Sequence, residues 1–144
     1  MGDKKVVATV TFNRGSWSTT NNTEWNGFYF VEAVLDWSLF RGCVGKLYVE
    51  TMHATYQEPG KLPWLNEGGW LRLAYQQGPE MIPVAGSEIK TYAKHVARWQ
   101  LLESPGWFPI PNVPDVSCLW IEGRAEEGKN ISVALATLVI AEDD

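Results

Sequence analysis

The chain alternates apolar and polar positions with a period of two along most of its length. In VVATVTF (6–12), Val6, Ala8, Val10 and Phe12 fall on one side, and Val7, Thr9 and Thr11 on the other. GFYFVEAVLDW (27–37) lines up Tyr29, Val31, Ala33 and Leu35; KLYVETMHATY (46–56) sets Leu47, Val49 and Thr51 against Tyr48, Glu50 and Met52. WLRLAY (70–75) sets Leu71, Leu73 and Tyr75 against Trp70, Arg72 and Ala74. SEIKTYA (87–93), VARWQLL (96–102), SCLWIEG (117–123) and ISVALATLVIA (131–141) continue the pattern. Alternation rich in Val, Ile, Thr and aromatics is the signature of strands. Turn-forming clusters separate the runs: EPGKLP (58–63), NEGG (66–69), QQGPE (76–80), AGS (85–87) and EEGKN (126–130). About eight short strands at this spacing predict an all-β sandwich or barrel. One segment reads two ways: 87–102 also fits an amphipathic helix capped by Ser87, although its alternation favours strand.

Two stretches interrupt the pattern. NRGSWSTTNNTEWNG (13–27) is polar, with Trp17 and Trp25 embedded, and is expected to form a long loop or arm. SPGWFPIPNVPD (104–115) is apolar yet carries four prolines, which excludes a helix or an inner strand. Proline holds φ near −65°, so this segment loses little entropy on docking. Trp107, Phe108, Ile110 and Val113 must therefore be covered, either by the open end of the sandwich or by another chain; the second option makes them expected interface residues.

The chain has 144 residues, the length of one domain spanning 1–144. Its net charge of −5 and its lack of a basic cluster weigh against nucleic acid as the main partner. No apolar run approaches the roughly 20 residues of a membrane span, so no membrane partner is expected. The start, MGDKKVVATV, lacks the apolar core and cleavage site of a signal peptide, so use without export is expected, and the sequons at Asn21 and Asn130 then have no role. Cys43 and Cys118 sit in apolar strand-like runs and are expected as buried free thiols, with a disulfide between them as the alternative.

Reactive chemistry is sparse. A nucleophilic triad needs a serine or cysteine beside a histidine and a carboxylate, but His53 and His95 each lie inside a strand-like run and no G-x-S-x-G elbow is present. Cys43, His53, His95 and Cys118 are scattered singly, without the paired spacing of a zinc site. No glycine-rich phosphate loop occurs. Asp36, Glu50, Glu88 and Glu122 lie in strand runs, where the fold decides whether two meet as glycosidase carboxylates. No catalytic residue, cofactor or metal is therefore assigned.

Tryptophan is the conspicuous residue, with eight copies. Trp37, Trp70, Trp99 and Trp120 fall in strands and are expected in the core. Trp17, Trp25, Trp64 and Trp107 fall in loops, where tryptophan closes the ends of a sandwich, stacks on sugar rings or anchors a protein interface. Trp17, Trp25 and Trp64 are the candidate sugar platforms.

From Lys46 onward the chain resembles single jelly-roll domains of the galactose-binding-like type. In these, an LR(L)Y strand, a GSE(I/V)xT strand, an arginine-bearing strand and a final xxARL(I/V)I strand recur. The matching positions here are Leu71-Arg72-Leu73, Gly86-Ser87-Glu88-Ile89, Arg98 and Ala136-Thr137-Leu138-Val139-Ile140, with Thr137 where arginine is frequent. These are core and turn positions, so the resemblance implies a fold: an antiparallel jelly-roll β-sandwich of about eight strands. Such domains occur as carbohydrate-binding modules and as small proteins on the outside of tailed-phage capsids and tails. The resemblance leaves function open, and a short, acidic sandwich with a stiff apolar loop and no export signal is expected to be a non-enzymatic virion structural protein. It would be a homotrimeric capsid decoration or auxiliary protein, made in the host cytoplasm, that binds the major capsid protein or another virion protein on the capsid exterior of a bacteriophage. The alternative is a carbohydrate-binding module.

Overall fold

A computed structural model describes residues 4–19, 23–55, 67–92, 99–125 and 129–143. The chain is all-β, two antiparallel sheets packed face to face. In chain order the strands are β1 Val6–Thr19, β2 Asn26–Asp36, β3 Val44–Thr55, β4 Glu67–Gln77, β5 Glu80–Pro83, β6 Ile89–Tyr92, β7 Gln100–Glu103, β8 Phe108–Pro109, β9 Val116–Ala125 and β10 Lys129–Ala141. The first sheet runs β1-β10-β3-β7, with β8 also beside β3; the second runs β2-β9-β4-β5, with β6 also beside β4.

This order is that of a jelly roll. β5 pairs with Ala74–Gln77 and β6 with Glu67–Leu71, so together they occupy one edge of β4. Apart from these and from β7 and β8, which both lie beside β3, successive strands cross between sheets, and the last strand, β10, returns to lie between β1 and β3. Two interlocked Greek keys give this arrangement. Residues 89–92 and 100–103 are strands, which decides the ambiguous segment for β where it is described; 93–98, with Arg98 and His95, lie outside the described residues.

The period-two pattern places the core. Phe12, Leu47, Val49, Leu138 and Ile140 point inward from the first sheet; Leu35, Leu71, Leu73, Leu119 and Ile121 point inward from the second. Trp37 is fully buried, but from a 3-10 turn (Trp37–Phe40) that ends β2. Asp36 starts that turn, its Oδ1 accepting from Ser38 N at 3.1 Å and Ser38 Oγ at 2.6 Å. This seats the indole edge-on to Tyr75, 5.3 Å between ring centres.

Where strand pairing stops, buried serines take the place of a neighbouring backbone. Ser87 Oγ accepts from Leu73 N at 3.1 Å and donates to Val84 O at 2.7 Å. Ser104 Oγ accepts from Leu47 N at 3.1 Å and donates to Gly106 O at 3.1 Å. Each hydroxyl gives a buried backbone N–H, that of Leu73 or of Leu47, an acceptor.

Two expectations are corrected here. The polar stretch 13–27 is not a long loop: β1 runs on to Thr19 and β2 opens at Asn26, whose Nδ2 donates to Thr19 Oγ1 at 2.6 Å. The proline-rich segment is covered by its own subunit. Phe108, Ile110 and Val113 belong to the core, while Pro109 and Pro114 face out. β8 pairs with Val44–Gly45, and Ile110 N donates to Cys43 O at 3.0 Å. Phe108 lies in a slot that two glycines open. A Cβ on Gly45 would stand 2.9 Å from the Phe108 ring, and one on Gly86, whose φ is +87°, 2.7 Å from Phe108 Cβ. The segment closes one end of the sandwich, which leaves only Trp107 of the four expected interface residues partly accessible.

Truncation should separate these roles. Phe108→Ala is expected to cost about 3–5 kcal/mol in urea unfolding of the isolated subunit, and Trp107→Ala less than half as much.

Candidate functional site

The outer face of the second sheet concentrates the polar and aromatic side chains. Because Leu71, Leu73, Leu119 and Ile121 point inward, their neighbours Trp70, Arg72, Trp120, Glu122 and Arg124 must point outward. Cross-strand register pairs Trp70 with Arg124, Arg72 with Glu122 and Ala74 with Trp120. Trp25, just before β2, lies over this array.

The result is a ladder of cations and indoles. The Arg72 guanidinium stands 3.9 Å from the centre of the Trp25 ring. Arg124 lies 5.6 Å from Trp25 and 4.5 Å from Trp70. Arg72 Nε donates to Glu122 Oε1 at 2.8 Å, and Glu122 is only 6% exposed. Arg124 Nε is buried without a hydrogen-bond partner among the described residues. Arginine suits this setting, because its weakly hydrated plane stacks on an aromatic face while its edge still donates. Gly27, opposite Glu122 in β2, makes room for Trp120: a Cβ there would stand 2.9 Å from the indole Cε3.

Of the candidate sugar platforms, Trp25 is half-buried and already carries Arg72 against its ring. Trp17 lies in β1, opposite Val133, with its side chain outside the described residues; Trp64 lies wholly outside them. The tryptophans expected in the core divide. Trp37 is buried, Trp70 and Trp120 sit on the outer face, and Trp99 is 40% exposed. Sheet parity is the reason, since Trp70 alternates with Leu71 and Trp120 with Leu119 and Ile121. Arg72 and Arg124 were not among the candidates; their signal is the same parity, which sets them beside Trp70 and Trp120.

The candidate carboxylates are spread out. Asp36 pairs in register with Val116, six residues along β9 from Glu122, or about 20 Å away at strand rise. Glu50 belongs to the other sheet, and Glu88 precedes β6 and faces solvent. Glu122 is engaged with Arg72 and Asp36 with Ser38. No cluster of His, Cys, Asp or Glu suited to a metal occurs among the described residues. Cys43 and Cys118 are not joined to each other, and both are half-buried rather than buried. The His53 side chain lies outside the described residues. No helix among the described residues is long and apolar enough to cross a membrane.

The edges of the first sheet form a second distinctive surface. β1 ends the sheet on one side, where Val6 and Val7 are 52% and 41% exposed. β7 ends it on the other, where Leu101 is 66% exposed beside Trp99. Trp107 lies near the Nζ atoms of Lys4 and Lys46, each 5.9 Å from its ring centre. Those lysines also pair with Asp143 (3.6 Å) and Glu103 (3.3 Å).

The strand order defines the class of the molecule, a jelly-roll β-sandwich. Solved structures similar to it come from two settings. A structure of the CBM22-1–GH10 modules of Clostridium thermocellum endo-1,4-β-D-xylanase 10B, complexed with xylohexaose, is 12% identical, with a TM-score of 0.47, over 99% of this chain and 30% of that one. A chain of infectious bursal disease virus, Gt strain, is 10% identical, with a TM-score of 0.46, over 96% of this chain and 33% of that one. A chain of the Gx strain is 12% identical, with a TM-score of 0.38, over 98% and 38%. This chain thus spans about a third of the length of each. No protein-family model and no curated protein matches the sequence.

The ladder's ion pair can be weighed directly. Arg72→Met is expected to cost about 2–4 kcal/mol, because it strands the Glu122 carboxylate in a buried position. Adding Glu122→Met should recover at least half of that loss in urea denaturation.

Proposed function

We propose that the chain is a non-enzymatic virion structural protein, a capsid decoration or auxiliary protein that stabilises a phage head by binding capsid subunits from outside. The observation that carries this reading is the surface of the first sheet. The core is filled and closed by the chain's own proline-rich segment, yet Val6, Val7 and Leu101, with Trp99 just before β7, stay exposed on the two edges that no strand covers among the described residues. Exposed apolar edge strands invite pairing with another polypeptide, and proteins that work alone suppress them. A building block has use for them. The resemblance of 46–144 to jelly-roll proteins of phage heads and tails gives the same direction. A homotrimer that binds the major capsid protein fits this role.

A second reading has its own support. Trp25, Trp70 and Trp120 lie half-buried on one polar sheet face with Arg72, Glu122 and Arg124, the mixture of flat rings and hydrogen-bonding groups that carbohydrate recognition uses.

Mass spectrometry of virions from the host that carries this gene tests the first reading. The chain is expected in fixed ratio to the major capsid protein, and heads lacking it should release DNA at lower temperature. Virions without the chain would overturn the reading. For the second, tryptophan fluorescence and a broad glycan array should show a response that Trp25→Ala removes; silence across the array would dismiss it.

A further inference from the structure

We infer that copies of this chain associate head to tail, the β1 edge of one pairing with the β7 edge of the next to join their first sheets into one antiparallel sheet. This rests on the assembly reading above and specifies its partner, a second copy, and the two surfaces that meet. Among the described residues no strand covers the outer side of β1 or of β7. The first sheet alternates direction at every step across β1, β10, β3 and β7, so β1 and β7 run oppositely. A neighbour placed side by side without inversion therefore presents its β7 antiparallel to β1, the arrangement that edge pairing requires.

Sequence and exposure select the register. Leu102 packs toward the core and Leu101 faces out opposite Glu50. On β1, Phe12 faces in, while Thr9 and Thr11 face out opposite Val139 and Thr137. The β1–β10 register shifts between Val6 and Ala8, so facing there is read from exposure, 52% at Val6 and 41% at Val7. Setting Lys5 of one copy opposite Glu103 of the next brings the exposed Val7 to Leu101 and Thr9 to Trp99. Val6 then falls opposite Leu102, and Ala8 opposite Gln100. Exposed aliphatic meets exposed aliphatic, and the basic start of β1 meets the acidic end of β7. Lys5 is exposed, and the Glu103 side chain is 56% exposed despite its link to Lys46. Cross-strand pairs of these kinds stabilise antiparallel sheets. Neither segment holds a proline, and β7 lacks the inward charge that guards a solvent-facing edge. The contact joins different surfaces, so it closes into a ring when the rotation permits, and three copies match the proposed role.

Sedimentation velocity and cysteine cross-linking test this on the full chain. The wild type should reach a plateau mass of three copies, and Leu101→Lys should weaken association about tenfold or more. Leu101 is exposed, so the variant should keep its melting behaviour at low concentration. Val7→Cys and Leu101→Cys chains should each fail to cross-link alone and should cross-link when mixed, against the wild-type thiols Cys43 and Cys118 as background. A wild type monomeric at about 100 µM, or Val7→Cys chains that cross-link to one another, would overturn the inference. Its failure is separable from that of the virion role. A monomer found in virions defeats only the head-to-tail contact; a trimer missing from virions defeats only the virion role.

Discussion

A β-strand has two faces, and the gap between two packed sheets is about 10 Å. That constraint organises this molecule. The inner faces of β3, β4, β9 and β10 are filled with leucine, isoleucine and valine, which interdigitate within such a gap. An indole is too large to alternate repeatedly with them. Trp37 enters the core from the end of a strand, through the Asp36-capped turn, not from the middle of a sheet. Trp70 and Trp120, one residue from inward-facing leucines, are forced outside. Once there they need cover: Arg124 lies over Trp70 while its edge stays polar, and Trp120 packs where Gly27 makes room for it. A single carboxylate, Glu122, sits beneath and holds Arg72 in place. The outer face is thus a consequence of how the inner face was filled.

The same economy explains the proline-rich segment. A sandwich is open at its ends, where strands turn and backbone pairing ceases. Residues 108–113 close one end, Phe108, Ile110 and Val113 in and Pro109 and Asn112 out. Prolines suit the outward positions because they leave no N–H unsatisfied. Gly45 and Gly86 complete the fit by leaving out the side chains that would collide with Phe108. A stiff apolar segment is therefore no sign of a partner when the chain supplies the slot for it.

Much of this was legible from residue order. The alternation in WLRLAY and SCLWIEG fixed both strand identity and facing, and by that logic Trp70 and Trp120 belonged outside; expecting them in the core followed hydrophobicity where parity was the stronger rule. The slot for Phe108 was not legible, because Gly45 and Gly86 are far apart in sequence and meet the ring only in the folded chain. Nor was the length of β1 and β2. Asn, Ser, Thr and Gly in 13–27 read as loop formers, but pairing with β10 and β9 overrode those local preferences. Strand order was the least legible feature, since nothing local tells β10 to lie between β1 and β3.

The two distinctive surfaces lie on different sheets. The arginine–tryptophan ladder covers the outer face of the second sheet; the two apolar edges of the inferred pairing belong to the first, while the second exposes Val34 on its β2 edge. Pairing at an edge adds strands in the plane of the first sheet, so it need not bury the outer face of the second. Adjoining first sheets would leave every copy's ladder facing outward from a shared scaffold. An array of that kind multiplies a weak surface contact, because each added copy acts at a high local concentration fixed by the assembly. Self-association and surface recognition are thus compatible in one small domain, and the separation of the surfaces allows each to be altered without disturbing the other.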